Sequence, residues 1–180
     1  MDVIAAIHGR RSVRSYDPKP VERELIERVI EDAAQAPPPF RGQVPWAFNV
    51  LQGVERIAAY GARAMAYARD RRRDEPGGSW LDRPGFKIFW DAPVVIIISG
   101  PDGDCCRAGQ NLMLAAHAQG LGSCWVGAPI PWLRSAGVAE ELGLPPGFDA
   151  IVAVILGHPD EQPAGNPRPR PEIVWCHPQA

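Results

Sequence analysis

Gly120-Leu121-Gly122-Ser123-Cys124-Trp125-Val126-Gly127 is the stretch on which the fold class turns. Its glycines come close to the Gly-x-Gly-x-x-Gly dinucleotide fingerprint and fail it twice. The third glycine falls too late, and the stretch leaves a helix to enter a strand, the reverse of the strand-to-helix order that the fingerprint requires. Upstream, Asp102 or Asp104 caps a predicted helix that continues to Gln119, with Leu112, Leu114, Ala115 and Ala116 on its inward face. Gly120 ends that helix, and Ser123 to Gly127 forms a short strand. A nicotinamide-binding Rossmann domain is therefore excluded. The glycines suit backbone passing close to a flat partner, although C-capping explains Gly120 equally well.

Further out, Val94-Val95-Ile96-Ile97-Ile98 and Ala150 to Leu156 read as buried strands, and Trp46 to Leu51 as a third. Asp2 caps a short helix through Ile7 that Gly9 ends, and Leu25, Ile26, Val29, Ile30, Ala33 and Ala34 mark a helix from Glu22 to Gln35. Glu55 to Arg73 reads as an exposed helix anchored by Ile57, Ala58, Met65 and Ala66. A last helix starts at Pro131 and closes before Gly143. The sum is α+β, with long helices on a small sheet, in a single domain over residues 1–180.

The balance of 46% apolar and 22% charged residues in 180 is that of a globular chain with a real core. A net charge of −2 gives no global attraction to nucleic acid or anionic membranes, and Asp70, Asp74 and Glu75 break up the run Arg69 to Arg73, which reads as a solvated helix face. The longest apolar run, Ala92 to Ile98, is too short to span a bilayer, and the first residues lack the pattern of a signal peptide, so the expectation is a cytoplasmic protein. Cys105, Cys106, Cys124 and Cys176 show no metal-binding spacing, no metal is expected, and all four read as reduced packing residues. His117, within a helix, reads as structural.

Two basic segments carry the chemistry. Arg10-Arg11-Ser12-Val13-Arg14 places three guanidiniums beside hydroxyls, and arginine's forked donors match phosphate oxygens. An extended chain sends Ser12 and Arg14 to one side, Arg11 and Val13 to the other. Alone, the segment reads equally as an exposed basic turn. In Asn166-Pro167-Arg168-Pro169-Arg170-Pro171 the prolines hold the chain extended, so Arg168 and Arg170 lie on one side about 7 Å apart.

Taken together, Arg10-Arg11-Ser12-Val13-Arg14-Ser15-Tyr16, the stretch Gln110 to Gly127, Leu156-Gly157-His158-Pro159 and Pro167 to Pro171 resemble, in order and spacing, the nitroreductase family of FMN-dependent oxidoreductases. The resemblance implies a central mixed, mostly antiparallel sheet flanked by helices, with FMN at a homodimer interface. It implies that Arg10, Arg11, Ser12 and Arg14 contact the FMN phosphate, ribityl and pyrimidine edge, that Arg168 and Arg170 complete the phosphate site, and that Cys124, Trp125, Val126 and Gly127 run beside the isoalloxazine. It departs from the family after the second helix, where Pro38, Gly42 and Val44 replace the usual serine, asparagine and glutamine, leaving Gln43 as a substitute contact. Phe40, Trp80 and Phe86 are expected in a substrate pocket, while Phe89 and Trp90 suit either pocket or core.

The implied activity is a ping-pong oxidoreductase: hydride from NADH or NADPH to the flavin, then to a nitroaromatic, quinone or similar planar acceptor. The cofactor carries the chemistry, so no catalytic side chain is expected. The alternatives are a specialised flavin enzyme of the same fold (dehalogenase, dehydrogenase or flavin-fragmenting) and a non-catalytic FMN-binding or storage protein.

Overall fold

The computed structural model describes residues 1–37, 46–72 and 80–176. Phe40 and Gln43, with the departures at Pro38, Gly42 and Val44, lie outside the described residues, and of Trp80 only the backbone is described.

Four strands, β1 (Ala47–Gln52), β2 (Val94–Ser99), β3 (Gly122–Trp125) and β4 (Ala150–Gly157), form one sheet in the order β1-β2-β4-β3. All three pairings are antiparallel. A single parallel bridge, Ser12 to Ser123, extends the sheet at its β3 edge.

Helices cover both faces. Val94, Ile96 and Ile98 join Val152, Val154 and Leu156 beneath α2 (Arg23–Ala33) and α4 (Asp102–Ala118). The alternating residues Val95, Ile97, Ala153 and Ile155 pack on the other side with Ile57 and Ala64 of α3 (Val54–Arg71), Leu133 of α5 (Ile130–Leu133) and Val138 of α6 (Val138–Glu141). Two-sided burial explains why β2 and β4 read as continuous apolar runs, because neither face meets water.

The structure corrects several local expectations. The first helix, α1 (Val3–Gly9), keeps Gly9 within it, and the Arg10 N–H bonds to the Ala6 carbonyl at 3.0 Å. Gly9 approaches α4 closely: a Cβ there would lie 2.8 Å from His117 Nε2, which would have to shift. In α4 neither aspartate caps. Pro101 is the N-cap, and Asp104 is buried against Arg107 inside the first turn. In α3, Ala58 and Ala66 are exposed, and Tyr60 and Ala64 are the anchors beside Ile57. The helix expected from Pro131 is two short ones, interrupted where Gly137 takes a left-handed φ of 81°. Cys105 and Cys124 are buried and Cys106 is half-buried, but Cys176 is exposed and packs no core.

One network joins α3 to α6. Arg63 donates from Nη1 and Nη2 to the two carboxylate oxygens of Glu141, each at 2.8 Å, and the Tyr60 hydroxyl donates to Oε1 at 3.0 Å. The guanidinium also lies 5.4 Å over Tyr60 and 5.3 Å over Trp132. The bonds from Arg63 and then Tyr60 hold the Glu141 carboxyl down at about 2, against an ordinary 4.5. The unfolded chain thus binds this proton first. The contribution to stability is present above pH 4.5 and is lost as pH falls toward 2. Glu141→Gln should flatten that part of an acid-unfolding curve followed by circular dichroism. An unchanged acid limb would refute the assignment.

Candidate functional site

The two basic segments, far apart in sequence, meet at the β3 edge. The N-terminal one is laid on the sheet by the Val13 N–H, which donates to the Ser123 carbonyl at 3.0 Å, and by the burial of the Val13 side chain. The C-terminal one leaves β4 at Gly157 and runs antiparallel to it. Tyr16 bridges Pro159, the Asp17 N–H bonds to the His158 carbonyl at 2.9 Å, and the Asp160 N–H bonds to the Ser15 carbonyl at 3.1 Å.

Glu161 completes the lacing. Its Oε1 accepts the backbone N–H groups of Arg14 at 2.5 Å and of Ser15 at 3.1 Å. The carboxylate therefore fixes the backbone of the arginine segment while leaving the Arg14 guanidinium free to point elsewhere. Nothing in the sequence pattern singles out Glu161, because its partners are backbone groups nearly the whole chain away.

Close approach here depends on absent side chains. A Cβ on Gly122 would stand 2.8 Å from Val13 Cγ1, and one on Gly157 would stand 2.7 Å from Tyr16 Cδ1 and 2.8 Å from Pro93 Cδ. Of the glycines in the stretch 120–127, Gly122 thus has a definite close neighbour, the Val13 side chain, while a Cβ on Gly120 or Gly127 would meet nothing within 4 Å.

Arg10, Arg11, Ser12 and Arg14 line one cavity of about 710 Å³ together with Asn166 and Arg168. Arg170 is exposed on the same tail but is not part of that lining. The expected alternation holds in part: Ser12 and Arg14 line this cavity without Val13, and Arg11 shares a neighbouring cavity with Val13, but the long Arg11 side chain also folds back to line this one. Arg11 Nη1 donates to the His8 carbonyl at 2.6 Å and to the Arg10 carbonyl at 2.9 Å, at the carboxyl end of α1. The tail crosses it at Gly165, where a Cβ would lie 2.5 Å from Arg11 Nη2. Arg11 therefore positions the two segments as well as charging the cavity. Burial, and after it Arg10 and Arg11, hold the neighbouring His117 imidazole below its ordinary value.

A second cavity, about 530 Å³, is lined by Arg14, Arg83, Phe86, Trp90 and the chain from Trp125 to Ala128. Cys124 lies outside it, buried in the core, and burial pushes its thiol up. Val126 donates its N–H to the Ala153 carbonyl at 2.9 Å. Gly127, by contrast, is exposed at the cavity, and nothing within 4 Å would meet a Cβ there. Phe86 and Trp90 stand edge to face with ring centroids 5.4 Å apart, and the Arg14 guanidinium lies 5.8 Å from the centre of Trp90. Phe86, expected in a substrate pocket, is in this lining. Trp90 resolves to the pocket, half-buried, and Phe89 to the core. Trp90 and Asp91 both hold left-handed φ values of 52°, an unfavourable conformation for such side chains that marks a fixed corner above the cavity. Arg83 was not expected in a site from the sequence: it belongs to no recurring spacing.

Arg14 lines both cavities. A ligand with an anionic end among Arg10, Ser12 and Arg168 and a flat end against Trp125–Ala128 would pass this side chain in the middle. That donor set fits the phosphate, polar chain and planar ring of FMN. Among the described residues no group of His, Cys, Asp and Glu could hold a metal ion, and no helix is long and apolar enough to cross a membrane.

Comparison with known proteins agrees with this geometry. The model of the nitroreductase family matches residues 7–158. A protein of Methanothermobacter thermautotrophicus, by name a candidate NADH dehydrogenase/NAD(P)H nitroreductase, is 30% identical over 179 residues, covering 91% of this chain and 80% of the relative. A nitroreductase from Bacteroides fragilis solved with bound FMN superposes with a TM-score of 0.80 at 22% identity, covering 97% of this chain and 100% of that one. Iodotyrosine deiodinase bound to FMN and 3-iodo-L-tyrosine shares the fold at 19% identity, with a TM-score of 0.78 over 98% of this chain and 100% of that one.

Proposed function

The chain belongs to the nitroreductase family and is an oxidoreductase, and from that premise we propose that it binds FMN across its two cavities and uses NADH or NADPH to reduce planar acceptors such as nitroaromatics and quinones. The observation that carries this reading is the position of Arg14, shared by the anion cavity and the aromatic cavity. FMN, when bound, supplies the hydride transfer in both half-reactions. The protein's residues supply the rest. Arg10, Ser12 and Arg168 hold the phosphate and ribityl end, and Arg170 screens it from the tail. Arg14 holds positive charge against the pyrimidine edge, where charge accumulates on reduction. Phe86 and Trp90 form an aromatic wall that aligns a flat donor or acceptor and excludes water.

The proposal includes a homodimer. α1 exposes Val3, Ile4 and Ile7, and the tail exposes Ile173, Val174 and Trp175, the last at 76%. Apolar side chains grouped at both chain ends are surfaces that a second copy would cover. A cytoplasmic location suits the four cysteines, none of which is in a disulfide.

The test reads three quantities on one preparation. The purified protein should be yellow, should run at twice the 19.6 kDa chain mass by light scattering, and should lose its flavin colour within minutes of adding NADH or NADPH without oxygen. A protein that holds FMN but is bleached by neither donor is a binding protein, and the oxidoreductase mechanism proposed here would be wrong.

A further inference from the structure

We propose that Arg83 selects acceptors carrying an anionic group, most simply an aromatic carboxylate, by pairing with that group while the ring stacks beside Phe86 and Trp90. The inference rests on the preceding reading of the 530 Å³ cavity as the place where the acceptor stacks, and adds the acceptor's charge to it. Two cations, Arg14 and Arg83, line that cavity, and no carboxylate does among the described residues. With FMN bound, Arg14 is engaged at the cofactor's edge. Arg83 is left over.

The surroundings of Arg83 make this more than a solvated surface charge. The acidic residues close to it in sequence lie outside the cavity lining and are already paired: Asp82 accepts from Arg69 at 3.2 Å, and Asp91 accepts from Lys87. Arg83 makes no ion pair among the described residues, and none of the described lining residues carries a negative charge. Its backbone is nevertheless fixed. The Arg83 carbonyl accepts the Phe86 N–H at 3.0 Å, Leu81 two residues before is fully buried, and Pro84 stiffens the next bond. The exposed Arg83 side chain thus starts from an anchored backbone in the same cavity lining as the aromatic pair. A guanidinium offers two parallel donors to a carboxylate, and a partly dry aromatic wall strengthens such a pair over one in open water.

The experiment uses the FMN-loaded protein and two uncomplicated probes, benzoate and benzamide, equal in shape and different in charge. Each is titrated while the oxidised flavin's visible spectrum is followed. Benzoate should bind more tightly than benzamide in the wild type. Arg83→Gln should weaken benzoate about tenfold and leave benzamide unchanged, with Arg83→Lys between them. Raising the salt concentration should weaken benzoate alone. A second arm reduces the protein with stoichiometric dithionite and mixes it with 4-nitrobenzoate or nitrobenzene, so that no nicotinamide is involved. Reoxidation should favour 4-nitrobenzoate in the wild type and lose that preference in Arg83→Gln.

Equal binding of benzoate by wild type and Arg83→Gln would overturn the inference. If both nitroaromatics then still reoxidise the flavin, the proposed function survives without it. Arg83-dependent benzoate binding in a protein that neither nitroaromatic reoxidises would have the opposite meaning: the anion site stands and the acceptor class is wrong. A preference for NADPH over NADH that vanishes in Arg83→Gln, with benzoate unaffected, would assign Arg83 to the donor's phosphate and also overturn it. A protein that takes up no FMN would remove both readings.

Discussion

Arg14→Ala combined with Arg168→Ala will give a folded protein that purifies without yellow colour and takes up little added FMN. Both side chains are exposed in the structure, so neither substitution opens a core cavity. The backbone lacing also survives, because Glu161 holds the Arg14 and Ser15 N–H groups and not the guanidinium. What is removed is charge. A hydrogen bond to a charged group contributes about 1.5–3 kcal/mol, so each single variant should weaken FMN by roughly ten- to 150-fold, measured by quenching of free-flavin fluorescence. Because both arginines act on one ligand, the double variant need not equal the product of the singles. Arg23→Ala is the control: it sits on α2 in a pair with Glu27, with its side chain 82% exposed and remote from both cavities, and should bind FMN as the wild type does. Wild-type affinity in the double variant would sink the clamp.

The second large effect is expected from one methyl group. Gly157→Ala places a Cβ between the Tyr16 ring, at 2.7 Å, and the Pro93 ring, at 2.8 and 2.9 Å. Neither ring can rotate away cheaply. Pro93 leads into β2, and Tyr16 is pinned by its hydroxyl, which donates to the Val13 carbonyl at 2.6 Å. Overpacking of this kind costs about 1–3 kcal/mol, which for a chain of this size lowers Tm by roughly 2–12 °C. The cost should not be confined to stability. Displacing Tyr16 moves Val13 and Arg14 with it, so FMN affinity should fall even though no ligand-facing side chain has changed. A variant with unaltered Tm and unaltered flavin binding would show that the Tyr16 segment is not held where the structure places it.

These two variants also mark what was legible in the sequence. The α+β class, the buried strands and the exclusion of a Rossmann domain followed from residues 110–127 and the apolar runs of β2 and β4, because periodicity and chain order are local properties. Arg10, Ser12, Arg14 and Arg168 could be grouped from residue chemistry and family-like spacing, and the structure brings them to one cavity. The fold of Arg11 back onto its own helix was not legible, since strand alternation says nothing about a side chain long enough to reach carbonyls behind it. Glu161 and Arg83 were invisible for a different reason. Each acts through what lies near it in space, and a lone acidic or basic residue in a tail or loop carries no pattern. The break between α5 and α6 escaped because Pro131 signalled a start correctly, while nothing in the local pattern marks the end of α5 at Leu133 before Gly137 caps α6.

The pairing of Tyr16 with Pro159 and of Ser15 with Asp160 has a consequence for the order in which this protein acquires its parts during synthesis. On a ribosome the sheet's central strands can pair once β4 has emerged. The arginine segment, made first, stays without its partner until the residues after Gly157 leave the exit tunnel. Loop closure over some 145 residues is then the last long-range step, and its entropic cost is already lowered by the sheet that holds both ends near one edge. A flavin phosphate would meet a complete binding site only at that moment. Cofactor capture would then report that translation of this segment has finished, and a nascent chain arrested before Asp160 would carry a core but no colour.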